Sequence, residues 1–316
     1  TLAERAVALD PLNSSSLTAL GLAYEMNGRT DEAERIFDRA IELSSTNMYA
    51  IREKATFLRR QGEYARAIVT AQDALARLPD SAPVLGEITQ AYRQLGDTSR
   101  YDFWSGRLVD FGVSFYSDMV NGRMALNERR PGDAIRHFEA ALEEWPGRWD
   151  IFHPLAHAYA LNGQPEHLID FIRAQAPEIL NRERPAVPPQ GAMLVAAAAW
   201  ALNETGDTAH ADKLVELGLE IARTGPRHSD FGYGVEIGEI EMHAVQGNIR
   251  FALDALAQTI EDGYRNPEWL ESSHFLDPLR SEPEFVAAME VINEELARQR
   301  AELEEMDRNG ELPPLP

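Results

Sequence analysis

The chain has 316 residues, 52 of them acidic and 30 basic, for a formal net charge of −22. A surface this acidic repels phosphate backbones, which argues against nucleic acid as a direct ligand. Cysteine is absent, which removes disulfides, thiolate nucleophiles and cysteine-based zinc sites, and no apolar run approaches the roughly 18 residues of a membrane-spanning helix. Arginine outnumbers lysine 28 to 2, a coding bias that points to a bacterial source, with cytoplasm and periplasm both open.

Residues 1–13 read as the second helix of a hairpin and its terminating Pro11, the remnant of a repeat whose first helix would lie before Thr1. Hairpins then follow over 14–46, 48–81, 82–113, 115–148 and 149–176. Each first helix carries a marker at a fixed place, Gly21, Ala55, Thr89, Gly122, Ala156, Ala199 and Ile240, at spacings of 34, 34, 33, 34, 43 and 41. Gly28, Gly62, Gly96, Gly163, Gly206 and Gly247 stand where a positive φ would end that helix. Ala33, Ala67, Ala134, Ala211 and Ala252 are the small contacts of the second helices, which Pro79 and Pro146 stop by withholding a backbone donor.

The third hairpin departs from the pattern. Tyr101 replaces its small residue and Phe103 and Trp104 add bulk, which predicts either helices splayed locally or an outward-facing side; copies could pair through the exposed face near Tyr101 and Trp104. After the regular array of 1–176, four prolines mark a joint over 177–191. Two degenerate hairpins over 192–263 are interrupted by a second joint, Thr224 to His228. The closing segment and tail, 264–316, include a capping-box pattern, Ser281 with Glu284. The helix it opens bears an apolar stripe of Phe285, Met289, Ile292 and Leu296, predicted to form a lid on the last hairpin.

Leu17, Leu20, Gly21, Tyr24, Gly28, Ala33, Phe37 and Ala40 are answered in the next copy by Ile51, Ala55, Leu58, Gly62, Ala67, Ala71, Ala74 and Pro79. This pattern resembles the tetratricopeptide repeat (TPR). The resemblance implies an all-α fold, an α-α superhelix (TPR solenoid) of about seven helical hairpins with a C-terminal capping helix. It also implies a non-enzymatic protein-protein interaction scaffold that binds a partner peptide or protein segment in a concave groove. Trp269, the run Asp277-Pro278-Leu279-Arg280, Pro283 and Phe285 resemble the end of TPR regions attached to bacterial winged-helix regulators, adenylate cyclases and kinases. That second resemblance implies an alternative, a regulatory region of a larger signalling protein acting intramolecularly or through homo-oligomers.

In a helical hairpin the first helix buries one stripe and turns another toward the hollow. The second stripe reads Arg52, Thr56 and Arg59, then Gln90 and Arg93, Tyr116 and Arg123, His153 and His157, and Trp200 and Asn203. A basic and aromatic stripe inside an acidic protein would focus a partner with acidic or carboxylate groups. The same arginines could instead pair internally with Glu53 and Glu87.

Catalytic signals are weak. His153 and His157 have the spacing of two imidazoles sharing a metal, but Pro154 stands where a zincin would carry its glutamate, and a third ligand would have to come from His167 or Asp150. We read them as groove-facing or solvated histidines, with no metal and no cofactor. Phe231 to Gly238 is glycine-rich, but its spacing does not match a dinucleotide fingerprint, and no nucleophile stands beside a base.

Overall fold

In the computed structural model the chain is described at residues 2–77, 79, 81–110, 114–224 and 235–312. Among them there is no strand, and the helices alternate as antiparallel hairpins. They group into two compact units, which we describe separately.

The first unit comprises the described residues of Thr1–Gly112, Asp262–Asn266 and Glu290–Pro316. Helix α1 (Leu2–Leu9) precedes three hairpins: α2 (Ser14–Met26) with α3 (Thr30–Leu43), α4 (Met48–Arg60) with α5 (Tyr64–Arg77), and α6 (Ala82–Leu95) with α7 (Thr98–Asp110). Gly21 allows the first pair to close, since a Cβ there would lie 2.7 Å from the Phe37 ring. Consecutive hairpins are stitched where they start. Ser14 Oγ donates to Ala40 O (2.8 Å) and accepts from Asn47 Nδ2 (2.7 Å), while Asn47 Oδ1 caps α4 by accepting from Tyr49 N and Ala50 N. At the start of α3, Arg29 holds the cap position without a side-chain bond.

The second unit comprises the described residues of Val113–Glu261 and Pro267–Met289. Its hairpins are α8 (Ser114–Asn127) with α9 (Pro131–Glu144), α10 (Trp149–Leu161) with α11 (Pro165–Gln175), α12 (Val195–Glu204) with α13 (Thr208–Thr224), and α14 (Val235–Val245) with α15 (Ile249–Glu261). The proline-rich stretch is irregular up to a 3-10 turn at Pro189–Leu194, and the closing segment begins with α16 (Pro267–Ser272) and a second 3-10 turn at His274–Leu279. Residues 225–234, which include most of the second joint and the first half of the glycine-rich run, lie outside the described residues.

Every first helix ends in the same way. An amide just past the cap bonds back to a carbonyl five residues earlier, as in Arg29 N to Tyr24 O, Glu63 N to Leu58 O and Gln164 N to Tyr159 O. All six predicted turn glycines have positive φ, from 64° at Gly163 to 85° at Gly206. The fourth hairpin has no such glycine, yet it makes the same bond, Arg130 N to Ala125 O (2.7 Å), by holding Arg129 at φ 53°.

Two expectations are corrected. Tyr101 and Trp104 are buried, 6% and 3% exposed, so the third hairpin offers no outward aromatic face at these positions: packing into the core recovers more than exposing two large rings to water. The last helix, α17 (Pro283–Arg308), pairs with the last hairpin at its start, where Glu284 meets Arg250 (3.3 Å). From Glu290 onward it belongs to the first unit. There Gln299 Nε2 donates to Gly62 O (2.8 Å), Gln299 Oε1 accepts from Ala65 N (3.0 Å) and Arg300 Nη1 donates to Leu95 O (2.6 Å). These bonds satisfy groups that the ends of α4 and α6 and the start of α5 leave unpaired.

Candidate functional site

In the first unit the predicted inner stripe is internally bonded. Arg59 Nε donates to Glu87 Oε2 (3.0 Å) and its Nη1 to Gln94 Oε1 (3.2 Å), which joins α4 to α6. Arg93 donates through Nε and Nη2 to Gln90 Oε1 (3.0 and 2.9 Å). Burial pulls the Arg93 guanidinium down to about 10, with nearby Arg59 adding repulsion, although Tyr101, Tyr64 and Tyr264 favour its charge. Thr56 is buried and donates to Arg52 O (2.9 Å), whereas Arg52, paired with Glu53, keeps 41% of its side chain exposed. The pairing with Glu53 and Glu87 therefore exists, and Arg52 is the member of the stripe that solvent reaches most easily.

In the second unit the inner offsets lie under the chain's own closing segment. Arg123 and Asn203 are half-buried, and Asn203 Oδ1 has no hydrogen-bond partner among the described residues. Trp200 packs against His274 and Phe275, with ring centres 5.7 and 6.2 Å apart. The side chain of Tyr116 lies outside the described residues. His153 and His157 do not face a groove: they are 2% and 1% exposed, with the Trp269 ring 4.5 and 4.4 Å from theirs and Phe275 4.3 Å from His157. Four aromatic or imidazole rings, His153, His157, Trp269 and Phe275, share one buried cluster because the segment 267–279 brings its apolar residues to this face. The anchor is the Asp-Pro-Leu-Arg run. Asp277 accepts from Arg280 Nε (2.8 Å) and pairs with Arg129 (3.1 Å), while Arg280 donates to Leu270 O and Ser273 O (3.1 and 2.8 Å).

The group that completes this pocket is Glu241 on α14, fully buried. Its Oε1 accepts from Trp269 Nε1 (3.1 Å) and Ser273 Oγ (2.8 Å). The carboxylate faces both imidazoles, with Oε1 3.3 Å from His157 Nε2 and Oε2 3.6 Å from His153 Nε2, and the two Nε2 atoms are 3.2 Å apart. Burial alone would raise the Glu241 carboxyl, but His157 and His153 outweigh it and hold it ionised, well below the usual range. Burial pushes His153 down to about 4, with His157 and Arg123 adding to the fall against the pull of Glu241. The third ligands imagined from sequence are elsewhere: His167 is exposed and Asp150 is bonded to Arg148.

Glu241 was legible in one respect. The offset that puts Thr56, Gln90, Arg123, His157 and Trp200 one residue after Ala55, Thr89, Gly122, Ala156 and Ala199 also puts Glu241 one residue after Ile240. An acid between Ile240 and Met242, both buried, was the signal.

A family model described as Tetratricopeptide repeat matches residues 2–35, and the same turn geometry recurs along the described hairpins. The chain carries tetratricopeptide repeats, a family whose hairpins stack into extended concave binding surfaces. It is similar to the antiviral innate immune response effector IFIT1 of Macaca fascicularis, 30% identical over 147 residues, which cover 45% of this chain and 27% of that protein. The match thus spans about a quarter of the relative's length. Among solved structures, a TPR protein from Parabacteroides merdae is 14% identical with a TM-score of 0.47, covering 89% of this chain and 98% of that one. Yeast Tom70 is 16% identical with a TM-score of 0.49, covering 92% and 61%. Among the described residues no helix is long and apolar enough to cross a membrane.

Proposed function

We propose that this TPR array works by binding and not by catalysis, and that it takes a partner segment bearing acidic or carboxylate groups along the first-helix stripe of its first unit. The observation that carries this reading is the set of bonded polar side chains on α4 and α6: Arg52 with Glu53, Arg59 with Glu87 and Gln94, and Arg93 with Gln90. Arginine forks pair carboxylates in two-pronged geometry, and an incoming carboxylate would exchange with Glu53 and Glu87, which already show that these arginines accept acids. The formal charge of −22 keeps non-specific anions away, so the local positive field acts at short range.

A partner captured from the native host provides the ligand, and its binding segment is titrated against the wild type and Arg52→Glu, Arg93→Glu and Arg123→Glu variants. Affinity should fall by at least about tenfold in the first two and change little in Arg123→Glu. Unchanged affinity in all three moves the site elsewhere. A second, intramolecular reading is favoured by one observation: segment 267–279 already covers the inner offsets of the second unit, so that face is served by the chain itself.

A further inference from the structure

We propose that His153 Nε2, His157 Nε2 and Glu241 together hold one divalent transition-metal ion of the zinc class, which ties α10 to α14 inside the second unit. The three groups cluster with their ligand atoms all within 4.8 Å of one another, and every one is buried. Distances separate this assignment from a plain ion pair. An imidazolium bonded to a carboxylate closes to about 2.7–2.9 Å. Here the nitrogen–oxygen contacts are 3.3 and 3.6 Å and the two nitrogens stand 3.2 Å apart. Zinc bonds of about 2.0–2.1 Å in a tetrahedron set ligand-to-ligand edges near 3.3–3.4 Å, which these three separations approach.

The surroundings fit a ligand set. Trp269 and Ser273 both bond Glu241 Oε1, fixing the carboxylate as outer partners do around metal ligands, while Oε2 has no hydrogen-bond partner among the described residues. Two Nε2 atoms facing each other can share only one proton between them, whereas a cation satisfies both lone pairs and the carboxylate at once. Two imidazoles with one carboxylate suit zinc, cobalt or nickel better than magnesium or calcium, which prefer all-oxygen shells. Trp269 and Phe275 wall the cluster, so the ion's role is to hold the fold together.

The test uses the full chain without an affinity tag. Chelator-treated protein is titrated with zinc by calorimetry and with cobalt by visible absorption, alongside Glu241→Gln and His157→Ala. The expected result is one equivalent bound to the wild type, intense tetrahedral cobalt bands, and a melting temperature that climbs with the logarithm of free zinc. Both variants should bind at least about 100-fold more weakly. Glu241→Gln keeps an oxygen for Trp269 and Ser273, so an unchanged far-ultraviolet dichroism spectrum separates loss of metal from loss of fold. Sub-stoichiometric uptake by the wild type, or variants that bind as the wild type does, would overturn the assignment.

Discussion

Each unit buries a carboxylate on a first helix, and the two are answered differently. Glu25 on α2, 2% exposed, meets the Arg60 guanidinium at 3.2 Å. Glu241 on α14 meets two imidazoles and two neutral donors. A guanidinium stays charged at neutral pH and neutralises its acid there, whereas neutral imidazoles keep lone pairs and change charge near neutral pH. The units thus answer a buried acid in different ways: the first pairs it with a permanent charge, while the second closes over a buried cluster of one carboxylate and two imidazoles.

Breaking the permanent pair should have the largest effect. Glu25→Ala removes the buried carboxylate that pairs with the Arg60 guanidinium, itself 10% exposed, and should cost about 3 kcal/mol in denaturant unfolding. The double change Glu25→Leu with Arg60→Met should recover most of that loss, and a double variant no better than the single one would show that the pair is not the cause.

The turns sharpen the contrast at intermediate size. Gly62 and Gly163 have similar φ, 75° and 64°, but a Cβ on Gly62 would lie 2.5 Å from Gly263 O, whereas one on Gly163 meets nothing within 4 Å. Gly163→Ala should cost only the left-handed backbone strain, about 1 kcal/mol, and Gly62→Ala about twice that or more, because backbone must also move. Equal losses in thermal unfolding would mean that segment 262–266 does not press on the first unit's turn.

The smallest effect is expected at Asp277. Burial pushes its carboxyl up, but bonds from Arg280, Arg129 and His274 outweigh this and hold it below the ordinary aspartate range. A depressed acid stabilises above its unfolded value, about 3.9, and that contribution is lost as pH falls through the folded value. Because Asp277 is about a third exposed, the wild type should lose less than about 1 kcal/mol more than Asp277→Asn between neutral pH and pH 2, read by urea unfolding at each pH. Parallel curves would mean that the anchor does not depend on its charge.

Much of the fold could be read from the chain because its signals are local. A glycine that ends a helix and an alanine that lets two helices touch act within one hairpin, so Gly28 or Ala33 announces itself by spacing. The fourth turn escaped because Arg129 adopts the left-handed conformation without being glycine and is held by Asp277, 148 residues away. The candidate sites were only half legible. The arginine stripe was found, and so was its internal pairing with Glu53 and Glu87. His153 and His157 were noticed for the right spacing but expected on an open wall.

By itself the sequence determined the repeat, its register and the six glycine-marked turns, because each depends on backbone sterics and contacts between neighbours in the chain. Tertiary structure alone decided that Tyr101 and Trp104 turn inward, that α17 from Glu290 belongs to the first unit, and that Trp269, Ser273 and Phe275 close over His153, His157 and Glu241. The reason is that a helix pattern states which face is apolar but not which distant segment will cover it. Burial on the inner face of the second unit is settled by the closing segment, and the carboxylate that meets His157 comes from Glu241, 84 residues further along the chain.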